Sequence, residues 1–281
     1  MTEVDESQDL AGRTFVITGG ARGLGAATGL LASKRGASVV LSDVLDSEGE
    51  ETAAAIRKDG GAAIYLHCDI TDEKSVEGLM ADAAEEFGSV DVLHNNAGIH
   101  EAMVSPETSF EDMSIETFDR VLAVNLRGAF LCAKKALPYL KKSEVGPSII
   151  NAGSTASFAG YPFGLAYGTS KGGIAMFTKN LAVALAPYGI RSNCYCPATV
   201  DTQMVRTVGS VLAGTDPESA EAPDAAHLSA HLVRRIGEPI DVAELVCFLA
   251  GPRSSFVNGV TWLIDGGVLA WRDSVDALGM T

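Results

Sequence analysis

Tyr167 and Lys171 stand four positions apart in the segment LAYGTSKGG, residues 165–173. On a helix that spacing stacks two side chains on one face. A phenol beside an ammonium is a route to proton transfer. Tyrosine ionises near pH 10 when unperturbed, and a neighbouring positive charge favours the phenolate. The same pair on an exposed helix would be an ordinary polar contact, so the chemistry depends on the surroundings. Gly168, Gly172 and Gly173 lie in the same stretch. Each weakens a helix by about 1 kcal/mol relative to alanine, a cost that makes sense where a ligand or another backbone comes close.

A second glycine cluster, TGGARGLG at residues 18–25, follows the apolar run RTFVIT. Gly19, Gly23 and Gly25 permit a tight turn and close approach of backbone to a ligand. The helix that starts there offers free N–H groups and a partial positive charge to a pyrophosphate. Asp43 closes the next apolar run, eighteen residues past Gly25. A carboxylate near that spacing accepts hydrogen bonds from the adenosine ribose hydroxyls and repels the extra phosphate of NADP. Arg22 in the turn pulls the other way, but Val44 supplies no second cation. The expected cofactor is NAD, with NADP the less favoured choice.

These segments need a scaffold, and the chain supplies a regular one. Short apolar runs at 13–18, 37–43, 62–69, 90–98, 148–154, 190–196 and 259–265 alternate with helix-like stretches. Seven such runs predict strands covered on both faces. The alternation predicts an α/β fold, a Rossmann-type doubly wound parallel sheet with helices on both faces, in a single domain. We expect a domain over residues 10–267, a flexible arm at 1–9 and a tail at 268–281. The longest interruption follows the sixth run, and residues 203–232 within it are the expected substrate lid. Met204, Val205, Val208, Val211 and Leu212 there, with Phe158, Tyr161, Pro162 and Phe163, could line an apolar pocket.

Bulk composition narrows the possibilities. The 281 residues are 47% hydrophobic and 20% charged, with a formal net charge of −15. A large core is available, while a phosphate backbone or an anionic membrane surface would be repelled. No apolar stretch is long enough to span a bilayer, and the acidic start MTEVDESQDL has no signal-peptide pattern. The expected location is the cytoplasm. Five scattered cysteines, Cys68, Cys132, Cys194, Cys196 and Cys247, read as reduced buried thiols. His227 and His231 have an i,i+4 spacing, but no H-E-x-x-H pattern or third ligand accompanies them, so no metal is expected.

Together these residues resemble the short-chain dehydrogenase/reductase family, in its cytosolic single-domain form, from about residue 10 to residue 267. TGGARGLG, including Leu24, is similar to the family's cofactor turn, and Asp69-Ile70 after Cys68 to its adenine-contacting segment. Asn95-Asn96-Ala97-Gly98 is similar to its NNAG motif. Asn125, in VNLRG, stands where the family has an active-site asparagine. Ser154 precedes Tyr167 by thirteen residues, the family's usual interval. NCYCPATVDTQM resembles the segment that holds the nicotinamide, with Pro197, Val200 and Thr202 against it. Three positions depart from the pattern: Ala198 replaces a glycine, Gly153 stands where a serine often precedes the catalytic serine, and His94 occupies a usually aliphatic strand position.

The resemblance implies interconversion of a secondary alcohol and a ketone. Tyr167 acts as general acid/base, Lys171 lowers its pKa and binds ribose, Ser154 holds the substrate oxygen, and Asn125 orders a relay water. The substrate expected is a cyclic or apolar alcohol, steroid-like or terpenoid. The apolar flank of the helix after Lys171, with Ile174, Phe177, Leu181 and Leu185 extended by Met176 and several alanines, suggests a subunit interface, and the family implies a homotetramer. Two alternatives stay open: an NADP-dependent 3-oxoacyl-[acyl-carrier-protein] reductase, and a dinucleotide-binding regulator without turnover.

Overall fold

A computed structural model describes residues 8–214 and 231–271. His227, the later part of the expected lid, and most of the expected arm and tail lie outside the described residues. Seven strands form one parallel sheet in the order β3-β2-β1-β4-β5-β6-β7. They are β1 (Thr14–Thr18), β2 (Ser38–Asp43), β3 (Ala63–His67), β4 (Val92–Asn95), β5 (Ser148–Ala152), β6 (Arg191–Pro197) and β7 (Thr261–Ile264). The helices between them are α1 (Gly23–Lys34), α2 (Asp46–Lys58), α3 (Glu73–Phe87), α4 (Ile115–Leu122), α5 (Ala129–Leu140), α6 (Leu165–Leu185), α7 (Gln203–Ala213) and α8 (Pro239–Ala250). This is the expected α/β architecture. Each strand falls within its apolar run except β6, which runs one residue further to Pro197, and polar motifs such as Cys68-Asp69 and Asn96-Ala97-Gly98 lie just beyond the strand ends.

Alternation within the strands builds two cores. Phe15 and Ile17 of β1, with Val39 and Leu41 of β2, face α1, α2 and α8, where Ala32, Ile56, Val242 and Val246 meet them. Val16 and Val40 point to the opposite face, among Val76 and Met80 of α3 and Leu131 and Cys132 of α5. The sheet is thus covered on both sides for most of its width. β7 departs from that expectation: it is an edge strand, and Trp262 and Leu263 are partly exposed. Asp9, placed by the sequence reading in the arm, is buried and ion-paired with Arg253 at 3.0 Å.

The strand order reverses between β1 and β4, and ligands bind at such a switch point in open α/β sheets. The register brings Thr18 beside both Ser42 and Asn95. Three candidate segments therefore emerge together at the carboxyl edge: the glycine turn, Asp43 and Asn96.

A buried polar chain fixes this edge. The Tyr195 hydroxyl donates to Asn96 Oδ1 at 3.2 Å and lies 3.0 Å from His94 Nε2. Since the tyrosine hydrogen is committed to Asn96, His94 Nε2–H must be the donor to Tyr195. Burial pushes the His94 imidazole down to about 3, so the ring is neutral. Its Nδ1 is left without a partner. Thus the unusual histidine on β4 is explained by the tyrosine on β6. Tyr195→Phe leaves the buried His94 donor and the half-buried Asn96 acceptor without this partner and should cost about 1–3 kcal/mol, measurable by urea denaturation.

Candidate active site

The glycine turn is shaped by contacts that leave no room for a side chain. Gly19 and Gly23 adopt φ values of 65° and 59°, a left-handed conformation that favours glycine. A Cβ on Gly19 would lie 2.7 Å from Ala97 Cα, and one on Gly25 would lie 2.2 Å from the Gly19 carbonyl oxygen. Asn96 Nδ2 donates to the carbonyls of Thr18 and Gly19, at 3.0 and 2.8 Å. The turn therefore rests directly on the Asn96-Ala97 backbone.

Beside it lies a cleft of about 370 Å³. Gly19, Arg22, Gly23 and Leu24 line its floor; Asp43, Asp69 and Ile70 line one end; Asn96, Ala97 and Gly98 line the wall. Gly25 sits beneath the turn and is buried. Asp43 is half-buried, with Oδ2 accepting from the Ala21 amide at 3.2 Å and Oδ1 from Val44 at 2.8 Å. Arg22 is exposed at the N-cap of α1. The Asp69 carboxylate is engaged by the amide and hydroxyl of Thr71, and these bonds offset burial to hold it below the usual carboxylate range. Pro197 ends β6, and Val200 forms a parallel bridge to Gly237. Thr202 caps α7 by accepting from Val205, and its methyl group packs 3.6 Å from where a Gly23 side chain would begin. Thr202 and Met204 at the start of α7 line the cleft.

At the far end of β5 the chain turns through a short helical segment, Thr155–Ser157. Ser154 Oγ accepts from the Ala156 amide at 3.1 Å, which leaves its hydroxyl hydrogen to be donated. α6 carries Tyr167 and Lys171 on one face, with Lys171 Nζ 5.4 Å from the centre of the phenol ring. Lys171 is buried, and its ammonium donates to the Ala152 carbonyl at 2.8 Å. Burial draws its pKa down to about 8. Burial also pushes the Tyr167 phenol up to about 12, with the nearby Ser154 hydroxyl working against it. Against the expected lowering, burial thus outweighs the influences that favour the phenolate.

Asn125 sits on a π-helical turn, Ala123–Gly128. Its Nδ2 donates to the Ile99 carbonyl at 2.9 Å and to Ser170 Oγ at 3.0 Å, and its Oδ1 accepts from the Ile99 amide. A Cβ on Gly98 would fall 3.3 Å from Asn125 Oδ1 and 3.5 Å from Lys171 Nζ. Gly98 thus packs close to both polar groups.

Gly153 has a clear local cause. A side chain there would begin 2.4 Å from Cys196 Sγ and 2.7 Å from Cys194 Sγ. The two thiols of β6 fill the space beneath the Ser154 turn. Phe158, Tyr161 and Phe163 lie partly exposed between Ser154 and Tyr167, and Phe163 holds a φ of 59°. Of the candidate metal ligands, His231 is buried, and no cluster of three or more His, Cys, Asp or Glu side chains suited to a metal occurs among the described residues.

One residue escapes the sequence motifs. Glu101 is fully buried in a short turn after Gly98, and its two oxygens accept from the Ala166 and Tyr167 amides at 3.1 and 3.0 Å. His100 stacks beside Tyr167, with ring centres 5.1 Å apart. The available signal was indirect: Gly164, at the N-cap of α6, has no side chain with which to cap the helix.

Comparison with known proteins agrees with this geometry. A family described as enoyl-(acyl carrier protein) reductase matches residues 19–269. The chain is 38% identical to cis-4-hydroxycyclohexanecarboxylate dehydrogenase of Sinomonas cyclohexanicum, covering 92% of this chain and 98% of that protein. It is 35% identical to cyclopentanol dehydrogenase of Comamonas testosteroni, covering 92% and 97%. A crystal structure of a dehydrogenase/reductase from Sinorhizobium meliloti 1021 superposes with a TM-score of 0.82 at 33% identity, covering 94% of this chain and 97% of that one. The chain belongs to the short-chain dehydrogenase/reductase family, and is an oxidoreductase of the kind that acts on alcohols. No helix among the described residues is long and apolar enough to cross a membrane.

The packing beneath Ser154 is testable. Gly153→Ser should destabilise the protein by about 1–3 kcal/mol through overpacking, and Cys196→Ala in the same chain should recover part of the loss in thermal melts.

Proposed function

We propose that this protein is an NAD-dependent dehydrogenase that interconverts a cyclic secondary alcohol and its ketone. The observation that carries the reading is the placement of Lys171 over Tyr167, with Ser154 beside the phenol, next to Gly98, a residue that lines the cleft. The residues present suit a dinucleotide. The missing Cβ atoms at Gly19 and Gly98 keep the wall open, and the amides at the start of α1 face the cleft where a pyrophosphate would lie. NAD when bound supplies the hydride acceptor or donor.

The chain's own residues supply the rest. Gly19, Arg22, Gly23, Leu24 and Gly25 hold the phosphates, and Asp43 binds the adenosine ribose. Asp69 and Ile70 flank the adenine; Asn96, Ala97 and Gly98 form the wall; Pro197, Val200 and Thr202 support the nicotinamide end. Ser154 donates its hydroxyl hydrogen to the substrate oxygen. In oxidation the Tyr167 phenolate takes the alcohol proton, and in reduction the phenol returns one to the carbonyl oxygen. Lys171 binds the nicotinamide ribose and stabilises the phenolate. Asn125 orders a relay water beside Lys171.

Two relatives named for cyclopentanol and for a hydroxycyclohexane carboxylate support a ring substrate. So do the exposed aromatic side chains of Phe158, Tyr161 and Phe163 in the segment between Ser154 and Tyr167. A homotetramer in the cytoplasm completes the reading. The exposed apolar residues Phe130 on α5, Met176 and Val183 on α6, and Trp262 and Leu263 on β7 support subunit contacts.

Initial rates with NAD and NADP on a panel of cyclic and linear alcohols test the proposal. We expect turnover with NAD on ring alcohols, reduced about 10²–10⁴-fold in Tyr167→Phe. Asp43→Ala should shift the preference toward NADP. Turnover with NADP alone would sink the Asp43 assignment, and dinucleotide binding without turnover on any alcohol would favour the regulator. The phenol must be deprotonated to accept the alcohol proton, and its pKa lies above the ordinary value. Oxidation at saturating NAD should therefore rise with pH, while ketone reduction falls.

A further inference from the structure

A carboxylate without solvent contact is costly unless its oxygens are satisfied. Glu101 meets that condition in an unusual way. Its two oxygens take the amides of Ala166 and Tyr167 across a separation of 65 residues or more. These amides belong to the first turn of α6, whose N-cap glycine offers no side-chain acceptor. The bond to the Tyr167 amide pins the backbone from which the phenol projects. Lys171 follows one turn later, with its Nζ held on the Ala152 carbonyl. The phenol and the ammonium are thus each fixed from outside the helix that carries them.

We propose that Glu101 is a positioning residue for the proton transfer: its carboxylate fixes the start of α6 and, through its charge, sets how readily Tyr167 ionises. This rests on the reading of Tyr167 as the acid/base. A negative charge at a helix N-terminus is favoured by the helix dipole, which suits the anchoring role. The same charge opposes a nearby phenolate. Burial is the largest influence on the Tyr167 phenol, the Ser154 hydroxyl opposes it, and Cys196, Glu101 and Tyr161 each add to the rise.

The other groups around Glu101 do not neutralise it. His100, with Nδ1 3.7 Å from Glu101 Oε2, is pushed down by burial against the pull of that carboxylate, and its Nδ1 accepts from the Ala102 amide. α7 and α4 both pack against the turn. Arg206 of α7 is ion-paired with Asp201, and Arg120 of α4 acts on Asp69. Glu116 and Asp119 of α4 are exposed.

The test is the pH dependence of kcat for alcohol oxidation, at saturating alcohol and NAD, in Glu101→Gln and Glu101→Asp. Glu101→Gln removes the charge, and the acidic limb should move to lower pH by about one unit. Its plateau should fall roughly tenfold, within the range that misplacing a catalytic group produces, with KM for NAD unchanged. Glu101→Asp keeps the charge on a shorter arm, so its plateau should fall while the limb stays in place. A folded Glu101→Gln enzyme with wild-type limb and plateau overturns the proposal, whatever its melting temperature. If Glu101→Gln does not fold, Glu101→Asp decides: a lowered plateau at unchanged KM supports the proposal, and wild-type kcat overturns it. Wild-type turnover in Tyr167→Phe would overturn the acid/base reading itself, and this proposal with it.

Discussion

Asn96 donates both hydrogens of its side-chain amide to the carbonyls of Thr18 and Gly19, and the carboxyl edge of the sheet is organised around those two bonds. They tie the end of β1 to the segment leaving β4, across the point where the strand order reverses. The Thr18 hydroxyl adds acceptance from the amides of Asn96 and Ala97, both at 3.2 Å. Tyr195, backed by His94, holds the other end of the Asn96 amide. Without this brace the glycine turn and the Asn96-Ala97-Gly98 wall would have no fixed separation, and the cleft no fixed width. Glycine at position 19 follows directly, because the brace brings Ala97 too close for a side chain.

The Tyr167–Lys171 end of the site is governed by burial. Lys171 and Glu101 are opposite charges anchored near the same helical turn, and both are held by hydrogen bonds to main-chain groups. Desolvation weakens the hold of Lys171 on its proton and of Tyr167 on the phenolate form. A low-polarity surrounding also strengthens every charge that remains. The Tyr167 phenol is therefore sensitive to small changes in what faces it. That sensitivity suits the proton-transfer role proposed for Tyr167, and an exposed tyrosine-lysine pair would lack it.

The strands were legible because both faces of most of them are covered, which forces short apolar runs such as FVI and VVL. Position on the sheet was less legible. β7 has the same apolar appearance as the inner strands, yet Trp262 and Leu263 are partly exposed at its edge. The residues of the glycine-walled cleft were marked by glycine spacing and an acidic strand end. Glu101 did not, since a glutamate in a loop carries no local mark of where its oxygens will go. Gly153 departs from the family pattern in sequence, and its cause, the thiols of Cys194 and Cys196 beneath it, lies on another strand.

By itself the sequence determined the succession of strands and helices, the glycine turn, and the four-residue offset of Tyr167 and Lys171, because each follows from local periodicity and backbone sterics. It also determined the family, through ordered motifs along most of its length. Only the tertiary structure decided which buried groups face one another. The pairing of Glu101 with the start of α6, the His94–Tyr195–Asn96 chain and the thiols under Gly153 each join segments far apart in sequence. Such contacts are fixed by strand register and helix packing, and neither quantity is written in the residues on one side of the contact alone.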